Sequence, residues 1–272
     1  MAKVIVVTSG KGGVGKTTST AALGAALARG GANVALVDFD VGLRNLDLIM
    51  GAERRVVFDL INVINGDANL AQALIKDKER PNLSILAASQ TRDKDALTAE
   101  GVAKVMDELR KRFDWVLCDS PAGIERGAQL AMYHADEAVI VTNPEVSSVR
   151  DSDRIIGLLD SRTAVAEGGG SIKKHLLITR YDPARAAKQE MLNVEDVLEV
   201  LNVPIIGIIP ESQDVLNASN IGRPVTLSAN TNQSAAAKAY LEAAQRLEGK
   251  DIPLTVPTEK RGFLDFLFRK RV

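Results

Sequence analysis

A single cysteine, Cys118, is all that this chain of 272 residues offers to redox chemistry. No intrachain disulfide can form, and a reducing cytoplasm suits such a chain. Long hydrophobic runs are missing too, since no stretch approaches the roughly 20 apolar residues of a membrane span. The first ten residues, MAKVIVVTSG, hold only a short apolar run that leads straight into a glycine loop. They read as a first strand and not as a signal peptide. Charge of one sign is also lacking: 34 basic residues against 35 acidic ones leave a formal net charge of −1. No global field points to nucleic acid. The two histidines are His134 and His175. No histidine, lysine or acid is placed by the sequence to activate Ser120, which makes it a poor nucleophile.

What remains is ordinary for a soluble globular protein, with 46% hydrophobic and 25% charged residues. The length suits one sizeable domain with a full core. Short β-branched runs alternate with longer helical patterns. The runs at 4–9, 33–40, 83–89, 114–120, 137–143, 175–181 and 203–210 predict strands, most of them apolar on both faces. Helices are predicted between them, for example over 17–29, 99–112, 147–160 and 192–201. This alternation predicts an α/β fold: a doubly wound, mostly parallel sheet with helices on both faces. GGGS at 168–171 reads as a surface loop. The boundaries drawn from the sequence are a domain over 1–248, a linker over 249–258 with Pro253 and Pro257, and a separate unit over 259–272.

The sharpest motif is Gly10-Lys11-Gly12-Gly13-Val14-Gly15-Lys16-Thr17-Thr18. It contains G-x-x-x-x-G-K-T, placed after a predicted strand and before a predicted helix, the context of a phosphate-binding loop. Glycines let the backbone approach phosphate, and successive N–H groups and the helix N-terminus then point at the anion. Lys16 is expected to reach the β- and γ-phosphates of ATP, and the Thr17 hydroxyl to ligate Mg²⁺. Two apolar strands end in acids. Val37-Asp38-Phe39-Asp40 closes the second, at the strand end where ligand chemistry belongs, with Asp38 and Asp40 on one face. Asp38 belongs either to the outer shell of Mg²⁺ or to the bonding that holds the loop. Trp115 to Asp119 is a Walker B pattern, in which Asp119 is expected to hold Mg²⁺ through a bound water.

An ordinary phosphate loop needs no second lysine at its start. KGGVGKTT resembles the signature of the deviant Walker A ATPases, the MinD/ParA family. The resemblance implies that Lys11 reaches across a nucleotide-sandwich dimer to phosphates held by the partner subunit, neutralising charge on the transferring γ-phosphoryl group. It implies that Asp40 orients the attacking water and that Asp38, Asp40 and Asn45 form one switch. It also implies that Asp119 and Gly123, in DSPAG, form a second switch that moves after hydrolysis. Arg180, Pro210 and Glu211, at the ends of late strands, are the implied adenine contacts.

Within the family, a cluster shared by a dimer needs two cysteines per subunit, iron–sulfur carriers need a C-x-x-C, and arsenical-pump ATPases join two units. None of these fits. The stretches 38–50 (DFDVGLRNLDLIM), 89–102 (SQTRDKDALTAEGV), 119–125 (DSPAGIE) and 142–155 (TNPEVSSVRDSDRI) are similar to the MinD branch, as is the chain from about residue 2 to 228 and again in the tail. That similarity implies an ATP-dependent homodimer that places the division septum. It implies recruitment of a MinC-like septation inhibitor, discharge by a MinE-like activator, and a cytoplasmic position on the inner face of the membrane. Ser148, Asp151 and Arg154, on the helix after the sixth predicted strand, and Arg44 are the implied partner contacts. The competing expectation is a ParA-like DNA-segregation ATPase, which needs a basic patch on the dimer.

In the tail, Phe263, Leu264, Phe266, Leu267 and Phe268 are five large apolar residues in six positions. As a helix they cover an arc of roughly 200°, with Arg261, Asp265 and Arg269 on the other face. Such a segment fits a membrane interface with anionic lipids, or docks on its own domain. One tail binds weakly, and two on a dimer gain by effective concentration.

Overall fold

The computed structural model describes residues 1–90, 96–228 and 231–258. Eight strands form one sheet: β1 (Lys3–Thr8), β2 (Val34–Asp38), β3 (Ile75–Lys76), β4 (Leu83–Leu86), β5 (Trp115–Asp119), β6 (Glu137–Thr142), β7 (Lys173–Tyr181) and β8 (Ile205–Pro210). The helices are α1 (Lys16–Arg29), α2 (Leu46–Ile49), α3 (Leu60–Asn65), α4 (Leu70–Ala73), α5 (Ala99–Arg112), α6 (Arg126–Tyr133), α7 (Val146–Leu159), α8 (Ala164–Glu167), α9 (Pro183–Ala187), α10 (Val194–Leu201), α11 (Gln213–Asn220) and α12 (Ala235–Leu247). All seven predicted strands and the four named helices are present within about three residues of their expected ends, the largest difference being β4, which stops at Leu86. The added strand is β3, two residues paired antiparallel to β4 at one edge, too short to leave a pattern in the sequence.

The strand order is β3-β4-β2-β5-β1-β6-β7-β8, parallel apart from β3. β1 is central, with β5 on one side and β6 on the other, so the connections change direction beside its C-terminal end. A crevice opens there, as at the switch point of any such sheet. Alternate residues of each strand feed opposite cores. Val4 and Val6 join Val37, Cys118 and Ile140 under α5, α6, α7 and α10. Ile5 and Val7 join Leu36, Leu117 and Val139 under α1 and α12. A side chain on either face is dry, which is why these strands read as unbroken apolar runs. Cys118 is fully buried, and burial pushes its thiol up to about 12, so it packs as a small hydrophobe.

At the opposite end of the sheet Glu137 is buried beneath a histidine and two lysines. Its carboxylate lies 2.6 Å from His175 Nε2, 2.9 Å from Lys3 Nζ and 3.7 Å from Lys173 Nζ. Burial works against its ionisation, but the bonds from His175 and Lys3 outweigh it and bring the carboxyl down to about 2. A depressed acid stabilises the fold above its ordinary value near 4.5, and that contribution disappears as pH falls from there towards 2. Urea unfolding followed from pH 6 to 2 is expected to show this acid loss in the native chain and a flatter slope in Glu137→Gln.

Candidate functional site

The loop between β1 and α1 occupies the crevice. Gly15 caps α1 with φ 96° and offers no side-chain cap, so the first N–H groups of the helix stay open towards the loop. Gly10 lies against α7: a Cβ there would sit 2.3 Å from the backbone carbonyl of Asp151. The Thr179 hydroxyl of β7 donates to Val14 O at 2.7 Å, tying the far side of the loop to the sheet. Lys16, on the first turn of α1, is buried. Burial pulls its ammonium below the ordinary lysine range, while the carboxylates of Asp119 and Asp40 pull it back up.

Two carboxylates therefore act on one cation, and Asp38 lies beside both of them. Asp119 is buried, and its Oδ1 accepts from the Thr20 hydroxyl at 3.0 Å. Burial raises its carboxyl to about 6, against bonds from Thr17 and Thr20 and the pull of Lys16. Asp38 is pushed well above the usual carboxylate range by burial and by Asp119. Its two oxygens accept from the backbone N–H groups of Asp40, at 2.8 Å, and Leu46, at 3.2 Å. Of its two expected roles, the one seen is that of holding the loop. A buried excess of negative charge fits a divalent cation, and the Thr17 hydroxyl, bonded to Asp119, stands at the same place. Thr17 and Asp119, with Asp38 behind them, are the residues that could hold Mg²⁺.

The implied adenine residues come together. Arg180, Pro210 and Glu211 line one cavity of about 400 Å³ with Val14, Gly15 and Thr18. Tyr240 forms part of its lining, and its hydroxyl lies 3.0 Å from Ser19 Oγ, a link between α12 and α1. Neither Thr179 nor Tyr240 was expected from the sequence. Thr20 had a signal: it follows Lys16 by one helical turn and shares its face.

The switch residues surround the same loop. Gly123 N–H donates to Ser9 O at 3.1 Å, so the segment after β5 is bonded to the phosphate loop. Arg44 has φ 48° and is spent locally: its Nε lies 2.6 Å from Asp47 Oδ2 and its Nη2 3.1 Å from Glu53 O. Asn45 stands exposed at the start of α2. Lys11 Nζ lies 3.1 Å from both Glu145 Oε2 and Ser147 Oγ, at the start of α7. One expectation on α7 is corrected. Ser148 is buried, while Asp151 is half-buried and Arg154 exposed. Ser148, Val149, Ser152 and Ile155 form the stripe that faces the core, so helical phase turns Val146 and Ser147 outward in its place. The apolar tail residues at 263, 264, 266, 267 and 268 lie outside the described residues.

The comparisons with known proteins agree with this geometry. Residues 5–225 match the CobQ/CobB/MinD/ParA nucleotide binding domain. The chain is 60% identical over 271 residues to the septum site-determining protein MinD of Escherichia coli K12, covering 98% of this chain and 99% of that one. The chain belongs to the MinD family. Among solved structures, the MinD chain of the MinC:MinD cell division complex of Aquifex aeolicus superposes with a TM-score of 0.81 at 42% identity, over 94% of this chain and 99% of that one. The septum site-determining protein MinD of Pyrococcus horikoshii, complexed with Mg-ADP, gives 0.79 at 30% identity, over 91% and 96%. The family's cell-division role displaces the DNA-segregation alternative.

Gly10→Ala tests how tightly the loop is seated. The methyl group has backbone in its way, not a flexible side chain, so the loop must move. The variant is expected to fold with native circular dichroism and to bind ATP at least about tenfold more weakly by calorimetry, roughly 1.4 kcal/mol.

Proposed function

We propose that this chain is an ATPase that pairs with a second copy when ATP is bound and then rests on the inner face of the cell membrane. There it recruits a MinC-like septation inhibitor, and it leaves when a MinE-like activator stimulates hydrolysis. The observation that carries this reading is the buried Lys16 between Asp119 and Asp40 at the mouth of an open glycine loop. Such a place is built for a polyanion with a metal ion, and the Mg-ADP complex of the Pyrococcus relative supports it. The MinC:MinD complex from Aquifex supports the inhibitor as partner.

In this reading the loop N–H groups and Lys16 hold the β- and γ-phosphates. Arg180, Pro210 and Glu211 enclose the base. Thr17 and Asp119 would hold Mg²⁺, which would supply charge neutralisation on the phosphates. Asp40 orients a water towards the γ-phosphorus; the bond to the ADP oxygen breaks, and ADP and phosphate leave. Lys11 sits on the surface at the start of α7, so leaving Glu145 and Ser147 frees it to meet the phosphates of a second subunit. The exchange favours the dimer because the γ-phosphate is a stronger anionic partner than one exposed carboxylate. Gly123 and the loop held by Asp38 are the segments that respond when phosphate departs. Asp151, Arg154 and Arg44 lie where a partner can read that change.

No helix among the described residues is long and apolar enough to cross a membrane. Membrane binding in this reading falls to 259–272. Burial of one large apolar side chain is worth about 1.5–3 kcal/mol, and less at an interface. Each basic residue near an anionic leaflet adds roughly 1 kcal/mol. Ordering so short a helix offsets much of that gain, so stable attachment needs the two tails of a dimer. Liposome sedimentation is expected to require ATP, to fail with ADP and with Lys16→Ala, and to disappear on deletion of 259–272 while nucleotide binding persists. Persistent sedimentation of the truncated chain refutes the assignment of the tail.

A further inference from the structure

The segment over 249–258, a linker by its sequence, is laid along the domain. Gly249, at φ 89°, turns the chain back at the end of α12, and the N–H groups of Gly249 and Lys250 close on Arg246 O and Gln245 O at 2.9 and 3.0 Å. The returning chain then meets the Arg246 guanidinium, whose side chain is only 11% exposed. Its Nε donates to Ile252 O at 2.9 Å and its Nη2 to Pro253 O. Its Nη1 donates to Ile206 O of β8 at 2.8 Å, and Nη2 also meets Glu242 Oε2 at 3.3 Å. One planar cation thus joins sheet, helix and returning chain. A turn earlier on α12, the Thr255 hydroxyl reaches Glu242 Oε2 at 3.4 Å. Farther up, Pro257 and Thr258 line a cavity of about 780 Å³ with Lys238 and with Pro210, Glu211 and Ser212. Those last three residues also line the nucleotide cavity, so one wall separates the two.

We propose that Arg246 is a positioning residue that straps 249–258 to α12, so that segment 259–272 leaves the domain beside the nucleotide cavity on a short leash. This rests on the membrane reading of the tail, and its partner is an anionic lipid surface. Strapped, the last fixed residue is Thr258, with 259–262 between it and Phe263 in the sequence; unstrapped, it is Glu248, with 249–262 between. Effective concentration falls as about the −3/2 power of tether length, so release of the strap weakens the second tail's attachment roughly sixfold. Proline at 253 and 257 suits the strap, since neither position has an N–H to satisfy.

The test compares full-length wild type, Arg246→Ala, and a chain with about ten Gly/Ser residues inserted between Thr258 and Glu259, a tether long enough to reproduce the predicted loss. Binding to phosphatidylcholine–phosphatidylglycerol vesicles is measured with ATP and with ADP, alongside hydrogen exchange over 249–258. Arg246→Ala is expected to raise the lipid needed for half-saturation with ATP several-fold, to leave the ADP state unchanged and to speed exchange over the strap. The insertion is expected to weaken vesicle binding equally with exchange unchanged, and it decides the matter where Arg246→Ala fails to fold. Wild-type vesicle affinity in the insertion variant, or in a folded Arg246→Ala, overturns the proposal, as does exchange over 249–258 as fast in wild type as in the variant. If wild type itself never sediments with ATP, the membrane reading fails while the exchange result still decides the strap.

Discussion

An ammonium group buried under a glycine loop, held by two carboxylates with a third beside them, is the arrangement on which the rest of this structure depends. Lys16 is out of water, and Asp119 and Asp40 hold its charge in place. Asp119 and Asp38 in turn are out of water: burial raises both carboxyls, and Asp119 pushes that of Asp38 further up. Such a cluster is costly in isolation, because buried charge is tolerated only where partners compensate it. In the proposed function a nucleotide compensates the ammonium and a divalent cation compensates the carboxylates. Ligand affinity and local strain are two aspects of the same electrostatics.

The sheet serves that cluster by geometry. β1 delivers the loop at the point where connections change direction, β2 and β5 deliver Asp38 and Asp119 in register, and β7 delivers Thr179 to the loop's far side. α7 closes the approach, with the Asp151 carbonyl against Gly10 and Glu145 and Ser147 against Lys11. α12 carries Tyr240 to the cavity lined by Arg180 and Glu211, and Arg246 to the returning chain. The cavity lined by Arg180 and Glu211, the start of α7 and the returning chain 249–258 thus all adjoin elements that border the loop or share a wall with that cavity.

Much of this was legible in the sequence, for a physical reason. Parallel strands covered on both faces are apolar throughout, and a glycine loop between strand and helix has one common use. The residues that went unread are those whose partners lie far off in the chain. Tyr240 meets Ser19, and Thr179 meets Val14, across separations that no local pattern encodes. Ser148 was misplaced because the phase of a helix depends on the residue at which it starts, and one position turns a side chain by about 100°. The run 249–258 carries the prolines and polar residues of a tether, and only the fold shows Arg246 beneath it. β3 escaped because two residues are too few for a period.

Calorimetric titration of the purified chain with a non-hydrolysable ATP analogue and Mg²⁺, followed by sedimentation velocity of the same samples, tests the central claim most directly. The account predicts stoichiometric binding that depends on Mg²⁺, and a shift from one copy to two as the site fills. Binding that is indifferent to Mg²⁺, or a saturated chain that still sediments as a single copy, contradicts it.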